Sequence, residues 1–190
     1  MTRREHILSE AAKIIRAQGY AGATMRDIAE AVGIEVSSLY NHIRSKQEIL
    51  STICFAIGRE YIMGLEQILN GSSGEKDMLN QIIHLHIDLA SRHKDSMQVF
   101  EEEWKHLQDD DLEQFRSMRT YYERRLMEFF DGAIRCGHFR NVETRVLLYT
   151  FLSSLKWLNF YFRENKSYEL ETLRKNMADL LCHGILNETK

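Results

Sequence analysis

The apolar residues near the N-terminus follow a helical period that stops and restarts around a single glycine. Thr24 stands where a helix N-cap is expected, and Asp27 follows it at the spacing of a capping box. Gly33 suits the left-handed conformation that ends a helix. The pattern predicts two short helices and a tight turn over about residues 24–43, which is a helix-turn-helix. The positions expected to face inward are Ile28, Ala29, Val32, Val36, Leu39 and Ile43.

The second of these helices, expected over about residues 35–43, turns small polar side chains outward. A face of hydroxyls and amides can lie in the major groove of DNA and contact base edges. We expect base-edge contacts from Ser37, Ser38 and Asn41. Phosphate contacts are expected from Thr24, Arg26, Tyr40, His42 and Lys46.

This stretch resembles the DNA-binding region of the TetR family of bacterial transcriptional repressors, and the resemblance extends over about residues 3–58. Ile43 stands where the family most often has Phe, a conservative change in the core. The resemblance implies an N-terminal DNA-binding domain followed by a ligand-responsive domain, called the body below. The matching features are the Thr24 cap, Ile28–Ala29, Gly33, Leu39-Tyr40-x-His42, and Lys46 followed by Glu48 and Leu50.

The remaining chain predicts further helices joined by short loops. The absence of proline from all 190 residues favours long helices. We therefore expect an all-α protein of about nine helices. A helix-turn-helix domain would occupy residues 1–47, and a six-helix ligand-binding and dimerisation domain residues 48–190. The helices are expected over about residues 3–18, 24–32, 35–43, 45–70, 75–93, 95–107, 109–132, 143–163 and 169–186.

Charge and cysteine content agree with a regulator that contacts DNA at one end. The net charge is −3, yet residues 1–46 hold seven Lys and Arg against five Asp and Glu. The three cysteines are widely spaced and odd in number, which indicates a reducing compartment. Neither a signal peptide nor an apolar stretch of ~20 residues is present. These features predict a soluble cytoplasmic protein without a membrane partner.

The body is rich in aromatic residues on helices that would be neighbours in a TetR-like body. Apolar ligand cavities usually lie between such helices, although any one of these rings can equally be a core residue. Because the resemblance implies a ligand-responsive body, we expect an apolar small-molecule effector. The body also resembles the branch of the family that senses acyl-CoA thioesters, around Val99–Glu102, Gly137–Phe139, and Tyr149 with Trp157. Relatives of that kind often place arginines beside the tryptophan, where this chain has Ser153 and Tyr161, which weakens the CoA part of the resemblance. The ligand contacts expected are Phe100, Trp104, Tyr122, Phe151, Trp157 and Phe160.

The last two helices carry more apolar residues than one thin body can bury, which predicts a homodimer through a four-helix bundle. The residues concerned are Leu155, Trp157, Leu158, Leu173, Met177, Leu180 and Leu181.

No catalytic residue, metal ligand set or cofactor is predicted. The sequence contains neither a Gly-rich phosphate loop, GxSxG nor HExxH. His84 and His86 would point ~200° apart on a helix, so they cannot share one ion. His86 and His93 share a face, with Glu101 to Glu103 and His106 nearby in sequence. The leading hypothesis is a repressor released from operator DNA by a fatty acyl or related apolar compound. The alternatives are a TetR-like activator or co-regulator, and a small all-α enzyme or carrier.

Overall fold

The computed structural model describes residues 1–164 and 169–186 of the chain. Its described part contains ten α-helical segments, of which α8 and α9 are separated by Trp157 alone. The prediction of an all-α protein with about nine helices is therefore confirmed. The helices are α1 (Arg3–Gly22), α2 (Met25–Val32), α3 (Val36–Leu39), α4 (Lys46–Leu69), α5 (Glu75–Arg92), α6 (Lys94–Gln98), α7 (Asp109–Arg135), α8 (Thr144–Lys156), α9 (Leu158–Glu164) and α10 (Leu170–Ile185).

The helix expected over 143–163 is divided at Trp157 into α8 and α9, and three further elements differ from the sequence prediction. Helix α1 reaches Gly22, but Gly19 interrupts it with φ 74° and ψ 160°. Helix α3 ends at Leu39, and the chain tightens into a turn in which His42 N–H donates to Leu39 O at 3.0 Å. Such i→i+3 tightening is common at helix ends, because it satisfies the last carbonyl groups. The helix expected over 95–107 is α6 followed by a π-helical turn (Val99–Glu103) and a 3₁₀ turn (Trp104–His106).

The first of two compact units comprises Met1–Arg59 and His93–Ser117. Five of the six inward positions of the predicted helix-turn-helix are buried, and Val36 is partly buried. Helix α6 packs against α1 in this unit, where Arg16 forms an ion pair with Asp95. Residues 93–117 therefore pack in the same unit as the helix-turn-helix, whereas the boundary predicted after residue 47 was based on the sequence pattern of the helix-turn-helix alone.

The second unit comprises Glu60–Arg92 and the described residues from Met118 onward. Helices α4 and α5 approach closely at Gly64, where a Cβ would lie 2.5 Å from Leu85 Cδ1. Arg125 on α7 makes a forked contact with Glu66 on α4, with Nε–Oε1 at 2.6 Å and Nη2–Oε2 at 3.1 Å. No helix in the described ranges is long and apolar enough to cross a membrane. The core of this unit includes Leu65, Ile82, Ile83, Leu126, Phe130, Phe139, Leu148 and Phe151.

The apolar residues of α8, α9 and α10 divide between this core and the surface. Several of them were expected from the sequence to lie at the dimer interface. Leu155, Leu158, Leu173 and Met177 are, however, at most 8% exposed within the subunit. Those four are core residues, because a helix that is apolar all round buries one side in its own domain first. The large apolar residues left exposed on these helices are Val146, Tyr149, Phe160 and Leu180, and Trp157 between α8 and α9 is also exposed.

Candidate DNA interface and effector site

The turn of the helix-turn-helix is fixed by backbone hydrogen bonds around Gly33. With φ 70° and ψ 40°, Gly33 is left-handed and donates its N–H to Glu30 O at 3.0 Å. Ile34 N–H donates to Ala29 O at 3.0 Å. The two bonds form a Schellman motif, which ends α2 and directs the chain into α3.

The start of α2 is closed by a reciprocal cap. Asp27 N–H donates to Thr24 Oγ1 at 3.1 Å, and Thr24 N–H donates to Asp27 Oδ2 at 2.9 Å. The Thr24 hydroxyl also donates to this carboxylate at 2.7 Å and thereby lowers the pKa of Asp27. Thr24 and Arg26 both remain exposed at the surface. Thr24 is therefore a structural cap that also lies where a phosphate could approach the helix N-terminus.

The outer side of α3 and its following turn is polar and accessible. Its inner side is held by Leu39 and Ile43, which are 0% and 1% exposed. Because these two residues are fixed in the core, the intervening side chains keep a defined outward position. The exposed residues of this surface are Ser37, Ser38, Tyr40, Asn41 and His42, all of them expected from the sequence.

Lys46 is engaged within the protein, which the sequence did not indicate. Its ammonium donates to Tyr20 O and to Ala23 O, each at 2.7 Å, and lies 4.5 Å from the centroid of the Tyr20 ring. The lysine thus closes the C-terminal end of α1, where a cation suits the helix dipole. An ammonium has three N–H donors, so one remains for a phosphate.

Arg44 is a basic residue that the sequence reasoning left out of the site. It comes directly after Ile43, beyond the turn that follows α3, and is exposed, and its backbone N–H donates to Glu48 Oε2 at 2.8 Å. This bond, with a further one from Arg4, lowers the pKa of Glu48. In the sequence, Arg44 directly follows Ile43, the last apolar position of the helix expected over 35–43.

Two of the expected ligand contacts lie in the first unit. Phe100 and Trp104 both pack against the buried ring of Phe115, with centroids at 5.4 and 5.6 Å. Phe55 from α4 reaches the same ring at 6.5 Å. These four rings form an aromatic cluster around the π-helical turn, a type of turn found frequently at functional sites.

Two other expected contacts lie together in the second unit. Tyr122 and Phe151 both contact the ring of His86, with centroids at 6.0 and 6.3 Å. His86 Nε2 and Tyr122 Oη are 2.8 Å apart, a hydrogen bond. From the sequence, His86 was expected on the inward side of its helix and was considered as a metal ligand, but not as a ligand contact. Among the residues that the structure describes, no group of three His, Cys, Asp or Glu is placed to hold a metal ion.

Trp157 and Phe160 are placed differently from the other expected ligand contacts. They are 43% and 57% exposed, and Trp157 meets Tyr161 edge-on at 5.3 Å. Both rings therefore lie on the surface of the second unit and outside its core, and a role for them in ligand binding stays a prediction.

A helix-turn-helix with a buried inner face, an exposed polar outer face and a separate helical body defines a DNA-binding transcriptional regulator. Residues 7–53 match the family described as "Bacterial regulatory proteins, tetR family", and residues 72–185 match "Tetracyclin repressor-like, C-terminal domain". The protein belongs to the TetR family. It is accordingly a regulator of transcription and not an enzyme, which removes the enzyme and carrier alternative.

Similar proteins of known name extend this comparison over almost the whole chain. The "HTH-type transcriptional repressor KstR2" of Rhodococcus jostii is 23% identical over 185 residues, which are 96% of this chain and 91% of that protein. The structure of the "ketosteroid transcriptional regulator KstR2 of Mycobacterium tuberculosis" has a TM-score of 0.92 at 17% identity, with 98% and 96% of the two chains covered. AibR "in complex with isovaleryl coenzyme A and operator DNA" has a TM-score of 0.81 at 23% identity, covering 94% and 97%. At these identities the two solved structures show the fold.

Proposed function

We propose that this protein is a homodimeric repressor that binds operator DNA and releases it when an apolar small molecule binds to its body. The observation that carries the proposal is the outward surface of α3 and its turn, whose polar residues are exposed while Leu39 and Ile43 anchor them. A helix-turn-helix used only for packing would have no need of such a surface. The relatives that match almost the whole chain are named as repressors, which supports repression over activation.

The DNA contacts are of two kinds in this proposal. Ser37, Ser38 and Asn41 would read base edges in the major groove, because they occupy the exposed side of α3 and its following turn. The remaining contacts would go to phosphates, which position the protein without reading sequence. They are Thr24, Arg26, Tyr40, His42 and the third donor of Lys46, to which the exposed Arg44 is now added. Such a protein acts on the chromosome, so we expect it in the bacterial cytoplasm.

The effector would be an apolar compound with an acyl-like chain. Each unit contains an aromatic group with two of the expected contacts, Phe100 with Trp104 and Tyr122 with Phe151. AibR, of similar fold, is described with isovaleryl coenzyme A, which supports the acyl class. Ligand and DNA would favour different shapes of the dimer, and the coupling must then be reciprocal. A coupling of ~3 kcal/mol would weaken operator binding about 150-fold.

The dimer would form through α8, α9 and α10. Val146, Tyr149, Trp157 and Phe160 follow one another at intervals of three, eight and three residues, which places them on one helical face. All four are at least 43% exposed in the single chain, and Leu180 of α10 is 75% exposed. Monomeric surfaces rarely leave so many large apolar side chains in one row, and a second copy would cover them.

The experiment uses DNA from both flanks of the protein's own coding region. A gel-shift with excess random competitor DNA should show a complex at nanomolar protein, within the usual range for specific binding. Medium- and long-chain acyl compounds, free and as CoA thioesters, are then titrated while operator release and tryptophan emission are followed. The chain has only two tryptophans, so no label is needed.

Operator release at ligand concentrations that change the emission would support the repressor mechanism. Emission changes without release would contradict it. A reporter gene behind the same DNA decides between repression and activation, because removing the regulator raises expression in the first case and lowers it in the second.

A further inference from the structure

His86 is the only polar or charged residue that is buried in the described part of the chain. It lies on α5 and is 9% exposed. Three aromatic rings surround it: Tyr61 at 4.8 Å, Tyr122 at 6.0 Å and Phe151 at 6.3 Å between centroids. Placing a polar ring in an apolar interior costs free energy unless its hydrogen bonds are made. The hydrogen bonds of His86 therefore require an explanation.

The hydrogen bond between His86 and Tyr122 leaves one donor of the pair unused. A neutral imidazole has one N–H and one acceptor nitrogen, and the phenol has one O–H. If Tyr122 donates to Nε2, the N–H at Nδ1 of His86 is left over. If Nε2 donates to Tyr122, the phenol O–H is left over. Within the described ranges the pair has just the one hydrogen bond at 2.8 Å, and no fully buried side-chain N or O is without a partner. Nδ1 of His86 has no hydrogen bond of its own with a described residue, so this atom is not fully sealed inside the protein.

The pair is also uncharged at the pH of a cell. Burial lowers the pKa of His86 to about 3 and raises the pKa of Tyr122 above its ordinary range. Burial is the only cause of either shift, and no Lys or Arg among the described residues contributes to it. A carboxylate bound beside the pair would lose its hydration without a compensating cation from these residues, which is costly in an apolar site.

From these contacts we infer that His86 and Tyr122 bind an uncharged acceptor oxygen of the effector, such as the carbonyl of a ketone, ester or thioester. The apolar part of the compound would pack against Tyr61 and Phe151. The inference rests on the proposed effector response, to which it adds the chemistry of the recognised group. It separates two sources of the same acyl chain, because a thioester or ester offers a neutral carbonyl whereas a free fatty acid offers a carboxylate.

The test compares probes of matched length on the intact protein. Two probes, 2-undecanone and methyl decanoate, carry a neutral carbonyl group. The comparison probes are decanoic acid at pH 7.5, which carries a carboxylate, and undecane, which has no oxygen. The same four types of compound with shorter (octyl) and longer (dodecyl) chains test the effect of chain length. Binding is followed by the shift of the thermal unfolding midpoint and by tryptophan emission, since a ligand of the native state stabilises it. One hydrogen bond should make the two carbonyl probes bind roughly three- to tenfold more tightly than undecane. The acid should bind no better than the hydrocarbon.

Two variants locate that preference. Tyr122→Phe removes the hydroxyl and keeps the ring, and His86→Phe removes the ring nitrogens. Both should bind undecane as the wild type does and lose the preference for carbonyl probes. Tyr121→Phe is the matched control, because the neighbouring Tyr121 hydroxyl donates to Glu66 at 2.9 Å and not to His86. The control should keep the preference.

Three results would overturn the inference. They are an unchanged carbonyl preference in Tyr122→Phe, a wild type that prefers the acid, and a wild type that binds none of the probes. DNA release is measured separately with the flanking DNA. Carbonyl probes that bind through the pair without releasing DNA would support this site and contradict the proposed repressor mechanism.

Discussion

Single substitutions on the proposed DNA-contacting surface should distinguish side chains that contact base edges from side chains that contact phosphates. Asn41 and Arg26 are both exposed; Asn41 lies in the turn that follows α3, and Arg26 lies on α2. Asn41→Ala should cost about 1–3 kcal/mol on the operator and almost nothing on random DNA, because a base-edge contact is lost. Arg26→Ala should weaken binding to both and reduce the slope of log K against log salt by about 0.9. Binding isotherms at four salt concentrations measure both effects, and equal losses on the two DNAs would contradict the assignment.

Lys46 was predicted to contact a phosphate, but its contacts in the structure add a structural role. It closes the end of α1 through two carbonyl groups. Lys46→Met keeps most of the stem and removes the charge, and should lower the free energy of unfolding by about 1–3 kcal/mol. The salt slope then decides whether the third donor meets a phosphate. A slope lower by about one confirms this contact, and an unchanged slope restricts Lys46 to the cap.

Between elements, the close approach of α4 and α5 depends on a missing side chain. A Cβ at position 64 would lie 2.5 Å from Leu85 Cδ1. Gly64→Ala should therefore destabilise by about 1–3 kcal/mol despite its better helix propensity. Gly132→Ala in α7 is the control: its Cβ would meet nothing within 4 Å, so it should stabilise by about 0.5–1 kcal/mol. Adding Leu85→Ala should remove most of the Gly64→Ala penalty, and urea unfolding would show no such coupling if the contact were loose.

The contact between α4 and α7 should be sensitive to acid. Arg125 lowers the pKa of Glu66, with Tyr121 adding a hydrogen bond. A carboxyl group with a lowered folded pKa contributes stability that is complete above its ordinary pKa of ~4.3 and is lost as the pH falls through the folded value. Glu66→Gln should cost up to about 1 kcal/mol at pH 7, since the pair is partly exposed. The free energy of unfolding of the Glu66→Gln variant should also fall less than that of the wild type between pH 5 and pH 3. Urea denaturation at each pH would measure this difference.

Helix ends could be predicted where the sequence has residues that cap or interrupt helices, as at Thr24, Gly33 and the loop between Asn70 and Gly74. The π-helical turn at Val99–Glu103 could not, because its apolar residues fit an ordinary helix equally well. The outward side of α3 followed from the pattern around Leu39. By contrast, periodicity could not say which side of α8 and α9 faces the core, since apolar residues occur all round. The contacts of Lys46 join positions more than twenty residues apart, and no local pattern encodes them.

At the scale of the whole molecule, DNA recognition should depend on a second copy of the chain. Two half-sites about one helical turn apart, ~34 Å, require two recognition elements held together. Tyr149→Glu places a charge in the exposed row of α8 and α9, where Tyr149 is 55% exposed. The variant should sediment as a monomer at micromolar concentration and lose most of its operator affinity, because burying an unpaired carboxylate in a dimer is costly. Met63→Glu is the control, since Met63 is 69% exposed on α4 and outside this row. If Tyr149→Glu remained a dimer while Met63→Glu dissociated, the interface would have to be sought on α4.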